Sequence, residues 1–318
     1  MKYLLVGNYG VENLGDEALK DYFLKSFPEV NWAVVSARPQ PGEYLRFPAG
    51  LRSLLSPWWK TFGALIKSDG MVLGGGSLFT DAESIYACFL WWWQIFFARL
   101  FRKKVILAFQ GIGPFRTSLG AFFARSVVRS ATSISVRDEE SFERVKTWFS
   151  PADRSAKREG SNKNVVQTFD PVFSVVQSDK TEVEDCNNLV IIPRNNSSIS
   201  FIEKANKLID SGKWNEVVIL SLKPDDPEEQ KVCESLEEKV IPIRTLCDLE
   251  TEVQKASKVL SQRYHGALVA LALGKEFEVV EQQKGDKLYV LESLKGNHVR
   301  CSELIRNGEE ELRRAMVE

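Results

Sequence analysis

The chain alternates short apolar runs with longer stretches whose apolar residues recur at helical spacing, and no other feature constrains its fold as strongly. The short runs are rich in Val, Ile and Leu, which is typical of strands with both faces covered by helices. Repeated units of this kind build parallel β-sheets flanked by helices. We therefore expect an α/β fold made of doubly wound, Rossmann-like sheets.

A polar stretch at residues 177–188 divides the apolar runs into two groups and marks a domain boundary. The expected Rossmann-like domains are residues 1–176 and 188–318. Strands are expected at residues 3–7, 32–36, 70–73, 105–109, 133–136 and 165–169, and at 189–192, 216–222, 240–244, 258–261 and 277–280. In the second domain, helices are expected to begin near Ser198, Pro227, Asp248, His265 and Lys287. Two such domains with a cleft between them describe the glycosyltransferase-B architecture.

Charge and size narrow the class of protein. A length of 318 residues suits two domains, and a net charge of −1 argues against nucleic-acid binding, which needs a basic surface. The charge is unevenly spread. Residues 1–160 carry 21 Lys and Arg against 15 Asp and Glu, whereas residues 161–318 carry 21 against 28. The basic first half favours an anionic ligand or membrane as its partner.

Cysteine usage and the N-terminus indicate a cytoplasmic protein. The five cysteines are scattered, without a C-x-x-C pair, which fits reduced core thiols. The apolar run that begins at Tyr3 is short and is expected to form a strand, not a signal peptide. The sequence contains no H-x-x-x-H, carboxylate pair or D-x-D run between the domains, so we expect no metal and no cofactor.

Three loops at one sheet edge carry glycines and polar side chains. The loop at residues 7–17 leads into a helix whose unpaired N–H groups favour an anion, although Asn13 or Asp16 could simply cap that helix. Three consecutive glycines at residues 74–76 suggest close approach of a ligand or backbone. The candidate site residues of these loops are Asn13, Asp16, Gly75, Gly76, Ser77, Gln110 and Gly111.

Two strand-to-helix junctions carry basic side chains. Arg137 ends the fifth predicted strand, where a guanidinium can bind phosphate or carboxylate, unless it is a surface arginine paired with Asp138 or Glu139. Arg263 and His265 lie at the junction after residues 258–261. A histidine beside an arginine can donate a proton next to a bound anion, although a lone histidine is more often structural.

Together these segments resemble the polysaccharide pyruvyl transferase family, to which the bacterial enzymes that pyruvylate cell-wall polymers belong. The matching stretches lie, in family order, at residues 7–17, 74–79, 109–114, 136–141, 170–173 and 263–275. The resemblance implies a glycosyltransferase-B fold that uses phosphoenolpyruvate as donor substrate. It places Arg137, Arg263 and Gly266 at the donor, with a lysine after the last strand. Alignment of Asp286 and of the apolar helix that follows it favours Lys287 over Lys284 for that lysine.

The implied reaction suits these residue types. Phosphoenolpyruvate carries phosphate and carboxylate, so its site needs fixed cations. Protonation of its methylene carbon by His265 would open the neighbouring carbon to attack by a sugar hydroxyl, and a second hydroxyl would complete a ketal. Asp16 is either the base for the acceptor or a helix cap. The expected acceptor is a sugar of a surface-polysaccharide precursor, which we expect to be lipid-linked.

Residues 85–104 combine many aromatic side chains with a basic cluster at their end. We expect a helix of the first domain there, too short to span a bilayer. Such a composition is typical of helices that lie in a membrane interface, here expected to be the inner face of the membrane. Trp58, Trp59 and Lys60 are candidates for a second contact. Alternatively, the aromatic residues belong to the core, because part of the helix must cover the sheet.

Two other functions compete with pyruvyl transfer. A glycosyltransferase of the same architecture would use a nucleotide sugar and needs a carboxylate for the donor ribose, for which Glu281 is a candidate. A membrane-associated scaffold or sugar-binding subunit could have kept the fold without catalysis. The presence of both Arg263 and His265 argues against the scaffold.

Overall fold

The computed structural model describes residues 1–49, 55–81, 84–149, 164–176, 187–281 and 287–318. The chain forms two compact units. Unit 1 comprises Met1–Glu12, Asp16–Pro171 and Glu303–Glu318, and unit 2 comprises Asn13–Gly15 and Val172–Ser302.

Unit 1 is built on a seven-stranded parallel sheet with the strand order β3-β2-β1-β4-β5-β6-β7. Its strands are β1 (Lys2–Val6), β2 (Asn31–Ser36), β3 (Tyr44–Leu45), β4 (Gly70–Phe79), β5 (Lys104–Ile112), β6 (Ser133–Val136) and β7 (Val165–Gln167). Its first helices are α1 (Leu14–Ser26), α2 (Trp59–Ile66), α3 (Ile85–Leu100), α4 (Ser118–Ser130) and α5 (Glu139–Phe149). The interiors of β1, β4 and β5 are fully buried, as expected for strands covered on both faces.

Unit 2 repeats the same winding on a smaller scale. Its parallel sheet has the order β10-β9-β8-β11-β12. The strands are β8 (Leu189–Ile192), β9 (Val217–Ser221), β10 (Lys239–Pro242), β11 (Lys258–Ser261) and β12 (Glu276–Val279). The helices are α6 (Val172–Val175), α7 (Ile199–Ile209), α8 (Pro227–Glu234), α9 (Leu246–Gln254), α10 (Tyr264–Ala272) and α11 (Leu288–Ser293). The predicted α/β class is confirmed in both units.

Side-chain caps explain where several helices of unit 2 begin. Ser198 caps α7, and Asp226 caps α8 with Pro227 as the first helical residue, close to the predicted starts. The predicted start at Asp248 was two residues late. Thr245 is the cap of α9, and Asp248 is its partner in a capping box, which places Asp248 inside the first turn.

Two strands of unit 1 are longer than predicted. β4 continues through the glycines to Phe79, and β5 continues to Ile112, because both segments keep pairing with each other beyond Leu73. The helix predicted at residues 85–104 ends at Leu100, and Lys104 begins β5. The two-residue strand β3 was not predicted, because so short an edge strand has no apolar periodicity to reveal it.

The C-terminal helix α12 (His298–Val317) belongs mainly to unit 1, although the predicted second domain extended to residue 318. Tyr22 donates a hydrogen bond to Glu309 (2.6 Å), and Ser133 donates one to Glu311 (2.6 Å). Leu312 is almost fully buried. Residues 303–318 therefore complete the core of unit 1.

Three further expectations concern the cysteines, membrane-spanning helices and metal-binding groups. Cys88, Cys233 and Cys301 are buried free thiols, but Cys247 is exposed, and Cys186 lies outside the described residues. In the described part of the chain, no helix is both long and apolar enough to cross a membrane. Nor do His, Cys, Asp and Glu side chains of those residues form a group suited to a metal ion.

Candidate functional site

Each sheet reverses its winding direction at one point, and the predicted site residues follow the strands at these points. In unit 1 the reversal lies between β1 and β4, and in unit 2 it lies between β8 and β11. Loops at the carboxyl ends of such strands are where doubly wound sheets bind ligands. Asn8 and Asp16 follow β1, Ser77 lies near the end of β4, and Arg263 follows β11.

Asp16 is a buried carboxylic acid in the first turn of α1. Asn8 donates a hydrogen bond to its Oδ2 atom (3.0 Å). Burial raises the pKa of Asp16 to about 6, against the opposing effects of Asn8 and Arg137. Among the described residues, no backbone N–H group donates a hydrogen bond to Asp16, whereas Asn13 Oδ1 accepts one from Gly15 N (3.1 Å). Asn13 therefore caps α1. With a pKa of about 6, the Asp16 carboxyl group is suited to exchange a proton near neutral pH.

Arg46 is a site residue that the sequence reasoning missed. Its guanidinium donates hydrogen bonds to the carbonyl oxygens of Gly7 (3.1 Å) and Tyr9 (3.3 Å) and to Asn8 Oδ1 (3.3 Å). It lies over the Trp91 ring, 4.8 Å from the centroid. Because Asn8 Oδ1 accepts from Arg46, the Asn8 amide group is held with Nδ2 towards Asp16. Arg46 thus orients the hydrogen-bond donor of Asp16.

No sequence signal marks Arg46, since it lies just beyond the short strand β3 and outside every glycine-rich loop. No ion pair of Arg46 occurs with any residue that the structure describes. Burial lowers its pKa, whereas the negative charge of Asp16 acts in the opposite direction. Arg46 is the principal addition that the structure makes to the predicted site.

Arg137 is buried at the end of β6 and is held from two sides. Its Nη1 atom lies 2.5 Å from Asp170 Oδ2, and Nη2 donates to Ser77 Oγ (2.9 Å). Asp170 is completely buried. The predicted alternative was a surface arginine paired with Asp138 or Glu139, and it is wrong about exposure because Arg137 is buried. The ion pair with Asp170 was not anticipated from the sequence. Its role in donor binding stays a prediction.

The glycines at residues 74–76 make room for the protein's own side chains. A Cβ atom on Gly75 would lie 2.9 Å from Leu19 Cδ2, and one on Gly76 would lie 3.2 Å from Asp16 Oδ1. Both residues have φ near +80°, which side chains rarely tolerate. Packing against α1 is a sufficient reason for these glycines, so they do not by themselves indicate a ligand. Their role as site residues, at the acceptor or in the cleft loops, stays a prediction.

Gln110 of β5 binds the glycine-rich part of β4 at residues 73–75 through side-chain hydrogen bonds. Its Nε2 atom donates to the carbonyl oxygens of Leu73 (3.0 Å) and Gly75 (3.1 Å), and the side chain is completely buried. Gly111 is also buried within β5. Both residues were predicted as site residues in loops that contact the acceptor or line the cleft, and this role stays a prediction. What the structure adds is a structural role for Gln110 in holding the edge on which Asp16 lies.

In unit 2, Arg263 is the residue immediately before α10 and is anchored to a buried carboxylate. Its Nη2 atom contacts Glu229, which is completely buried, and its Nε atom donates to the carbonyl oxygen of Pro193 (3.3 Å). Glu229 also accepts a hydrogen bond from Lys223 N (2.7 Å). The guanidinium is therefore fixed beside the ends of β8 and β11, where a doubly wound sheet binds its ligand.

His265 lies in the first turn of α10 and is half-buried. Its ring packs edge-on against Tyr264, with 5.4 Å between the centroids. The next residue is Gly266. A Cβ atom at this position would lie 2.7 Å from Ile192 Cδ1 and from Ser261 Oγ, so the close packing favours glycine. The sequence prediction that Arg263 and His265 occupy one strand-to-helix junction agrees with these positions.

Lys287 is buried at the start of α11. Lys284 lies outside the described residues, so the choice between the two lysines as donor ligands stays a prediction. Glu281, the candidate ribose ligand of the alternative function, follows β12.

Unit 2 also contains a surface cavity of about 700 Å³, lined by α7 together with Lys213, Trp214 and Lys258. Lys258 is the first residue of β11, whereas Arg263 follows the last. The cavity is therefore at the amino end of that strand, away from the edge that carries Arg263 and His265.

Comparison with known proteins identifies both the fold and the family. HepE from Anabaena, solved with UDP-glucose, has a TM-score of 0.57 and 11% identity, over 98% of this chain and 94% of that chain. UDP-GlcNAc 2-epimerase from Methanocaldococcus jannaschii has a TM-score of 0.58 and 10% identity, over 100% of both chains. UDP-GlcNAc 2-epimerase from Neisseria meningitidis, solved with UDP-GlcNAc bound, has a TM-score of 0.55 and 12% identity, over 100% of both chains.

Identities this low establish a shared fold only. They confirm the predicted class, two Rossmann-like domains of the glycosyltransferase-B type. No curated protein sequence matches the chain. A family model described as polysaccharide pyruvyl transferase matches residues 13–281, which is most of the sequence. The chain belongs to the polysaccharide pyruvyl transferase family.

Proposed function

We propose that this enzyme transfers a pyruvyl group from phosphoenolpyruvate to two hydroxyls of one sugar, with formation of a ketal and release of phosphate. The observation that carries this proposal is the junction after β11, where an anchored arginine and a half-buried histidine are two residues apart in a chain of this family. The proposed acceptor is a lipid-linked sugar of a surface-polysaccharide precursor, reached from the cytoplasmic side of the membrane.

Donor binding is assigned to fixed cations. Phosphoenolpyruvate presents two anionic groups, and guanidinium groups bind such groups with paired hydrogen bonds. Glu229 and the Pro193 carbonyl hold Arg263 in one orientation. An arginine that is already ordered loses little conformational entropy when the donor binds. Arg137, Lys287 and Gly266 complete the proposed donor contacts.

Proton transfer is assigned to His265 and Asp16. The imidazolium of His265 donates a proton to the methylene carbon of the donor, which leaves the neighbouring carbon electrophilic. One sugar hydroxyl adds to that carbon and gives its proton to Asp16. The bond to the phosphate oxygen then breaks, and the second hydroxyl closes the ketal. The two hydroxyl groups together lose two protons. One of these replaces the proton that His265 gave to the donor, and the other leaves on the phosphate.

Phosphate release and thermal stabilisation test this proposal against the nucleotide-sugar alternative. Phosphoenolpyruvate should raise the melting temperature, whereas UDP-glucose and UDP-GlcNAc should not. Phosphate should appear only when both phosphoenolpyruvate and an acceptor from a panel of synthetic and lipid-linked glycosides are present. Stabilisation by a nucleotide sugar together with release of UDP would replace pyruvyl transfer by glycosyl transfer.

A further inference from the structure

Helices α2, α3 and α4 of unit 1 bury their inner faces in the same core, and α3 contacts α4 along its length. Trp91, Ile95 and Ala98 of α3 belong to this core, together with residues of α2 and α4. Phe62 of α2 packs edge-on against Phe101 at 5.0 Å, which joins α2 to the end of α3. Aromatic contacts of α4 with α3 continue the layer on the other side. The three helices therefore form one continuous surface.

The outer side of this surface is unusually apolar. Leu100 is 59% exposed, Phe122 is 60% exposed and Trp59 is 58% exposed. The other exposed apolar side chains of the three helices and their ends are Ile66, Ile85, Tyr86, Phe96, Phe101 and Leu119. Ring contacts run from Phe122 through Phe123 and Trp92 to Phe96, so the exposed aromatic side chains of α4 and α3 are connected. We call these exposed side chains the α2–α4 apolar face. Several large apolar side chains exposed on neighbouring helices are typical of an interaction site.

The charges of the segment that carries this face are mostly positive. Residues 55–130 contain nine Lys and Arg but only three Asp and Glu. Lys60, Lys67, Arg99 and Arg102 are exposed, and none of them forms an ion pair within the described residues. The described acids are already engaged: Asp81 accepts hydrogen bonds from Thr117, and Asp69 accepts one from Lys2 N. Among the described residues, no carboxylate therefore pairs with the four basic side chains of this rim.

We propose that the α2–α4 apolar face lies on an anionic lipid surface. Aromatic and aliphatic side chains enter the headgroup region, and the basic rim attracts anionic lipids. Arg99 and Arg102 flank the exposed Leu100 and Phe101, and Lys60 adjoins Trp59, so charge and apolar area alternate along the same helix ends. A second copy of the chain fits this face less well, because a symmetric interface would bring two basic rims together. The proposal does not depend on the reaction that the enzyme catalyses.

Sedimentation with vesicles tests the proposal without any assay of activity. At low salt the protein should bind vesicles that contain phosphatidylglycerol and should not bind pure phosphatidylcholine. Replacing Lys60, Lys67, Arg99 and Arg102 with Gln should weaken binding by at least about tenfold. Replacing Lys25, Lys207, Lys213 and Arg300 with Gln removes the same charge elsewhere and should leave binding nearly unchanged. All eight side chains are exposed, so both variants should fold.

A second variant separates a lipid-facing surface from simple attraction between opposite charges. Leu100→Gln with Phe122→Gln keeps the net charge and should also weaken vesicle binding. Absence of binding by the wild type, equal loss in the control variant, or full binding by the Leu100→Gln and Phe122→Gln variant would each overturn the proposal. A dimer that this variant dissociates, without vesicle binding, would instead assign the face to a second copy of the chain.

Discussion

At the scale of single residues, burial raises the pKa of Asp16 from 3.8 to about 6. Since the folded state holds this proton more tightly than the unfolded chain does, the stability of the fold decreases as pH rises from about 4 to about 6 and stays lower above that range. A shift of this size corresponds to roughly 3 kcal/mol. Asp16 therefore destabilises the fold at neutral pH, as functional groups often do.

The variant Asp16→Asn should consequently be more stable than the wild type at about pH 8, by up to about 3 kcal/mol, and nearly equal to it at about pH 4. It should also lack transferase activity, because an amide cannot accept the hydroxyl proton. Denaturant unfolding at the two pH values measures the difference in stability.

Asp81 provides the contrasting control. Burial opposes its charge, but hydrogen bonds from Thr117 and backbone N–H groups outweigh burial and lower its pKa. Asp81→Asn should therefore be less stable than the wild type at neutral pH. Equal or lower stability of Asp16→Asn at about pH 8 would contradict the ionisation described for Asp16.

Arg46 should set the pH at which Asp16 becomes an active base. In the wild type, kcat/KM should rise as pH increases through about 6. Arg46→Met removes a positive charge near Asp16 and loosens Asn8, so the rise should move to higher pH. Arg46→Lys keeps the charge and should leave the midpoint closer to that of the wild type. A fall in activity without a shift of the midpoint would mean that Arg46 has only a structural role.

Arg263 requires a paired substitution, because its partner Glu229 is completely buried. Arg263→Gln alone leaves an unpaired buried charge and should destabilise the fold by about 3–5 kcal/mol. Adding Glu229→Gln should restore much of that stability. Both variants lack the guanidinium, so both should bind phosphoenolpyruvate about one to two decades more weakly, by calorimetry. Wild-type donor affinity in the stable double variant would remove Arg263 from the donor site.

At the scale of helices and strands, the elements predicted correctly are those whose ends are marked by neighbouring residues in the sequence. Strands β6, β8 and β11 match their predicted ranges, because a polar or turn-forming residue stands at each end of their apolar runs. The glycines of β4 were interpreted as a loop, although pairing with β5 and packing against Leu19 keep them in the strand. Glycine removes the side-chain pattern on which strand prediction depends. Long-range packing, not local preference, determines that end of the strand.

Helix α12 illustrates the same limit for the core. No helix start near His298 was predicted from the sequence, and this segment was assigned to the second domain, whereas most of α12 belongs to unit 1. Leu312 is 1% exposed, and Leu312→Ala should therefore destabilise unit 1 by about 2–5 kcal/mol. Hydrogen exchange should show the loss of protection in β1 and β6, which contact α12 through Tyr3 and Ser133. Arg306 is exposed on the same helix, and Arg306→Ala should change stability by less than about 0.5 kcal/mol.

At the scale of the whole molecule, both units use the same device to fix an arginine after a strand. Asp170 holds Arg137 across 33 positions of the chain, and Glu229 holds Arg263 across 34. The arginines were predicted because they follow strands in glycine-rich or helix-starting contexts. Their carboxylate partners were not, because no local pattern links residues so far apart in sequence. Family resemblance supplied the proposed donor, which residue types alone define only as a small anion.

The product of the reaction tests pyruvyl transfer most directly. With phosphoenolpyruvate and a glycoside acceptor in D₂O, the acceptor should gain a pyruvate ketal whose methyl group carries one deuterium, detected by mass spectrometry and NMR. His265→Gln should lower turnover by about 10²–10⁴-fold with less change in donor affinity. His298→Gln is the matched control, since His298 is the only other histidine and packs against Phe173. A ketal formed at the wild-type rate by His265→Gln, or a sugar transferred in place of pyruvate, would contradict the proposed function.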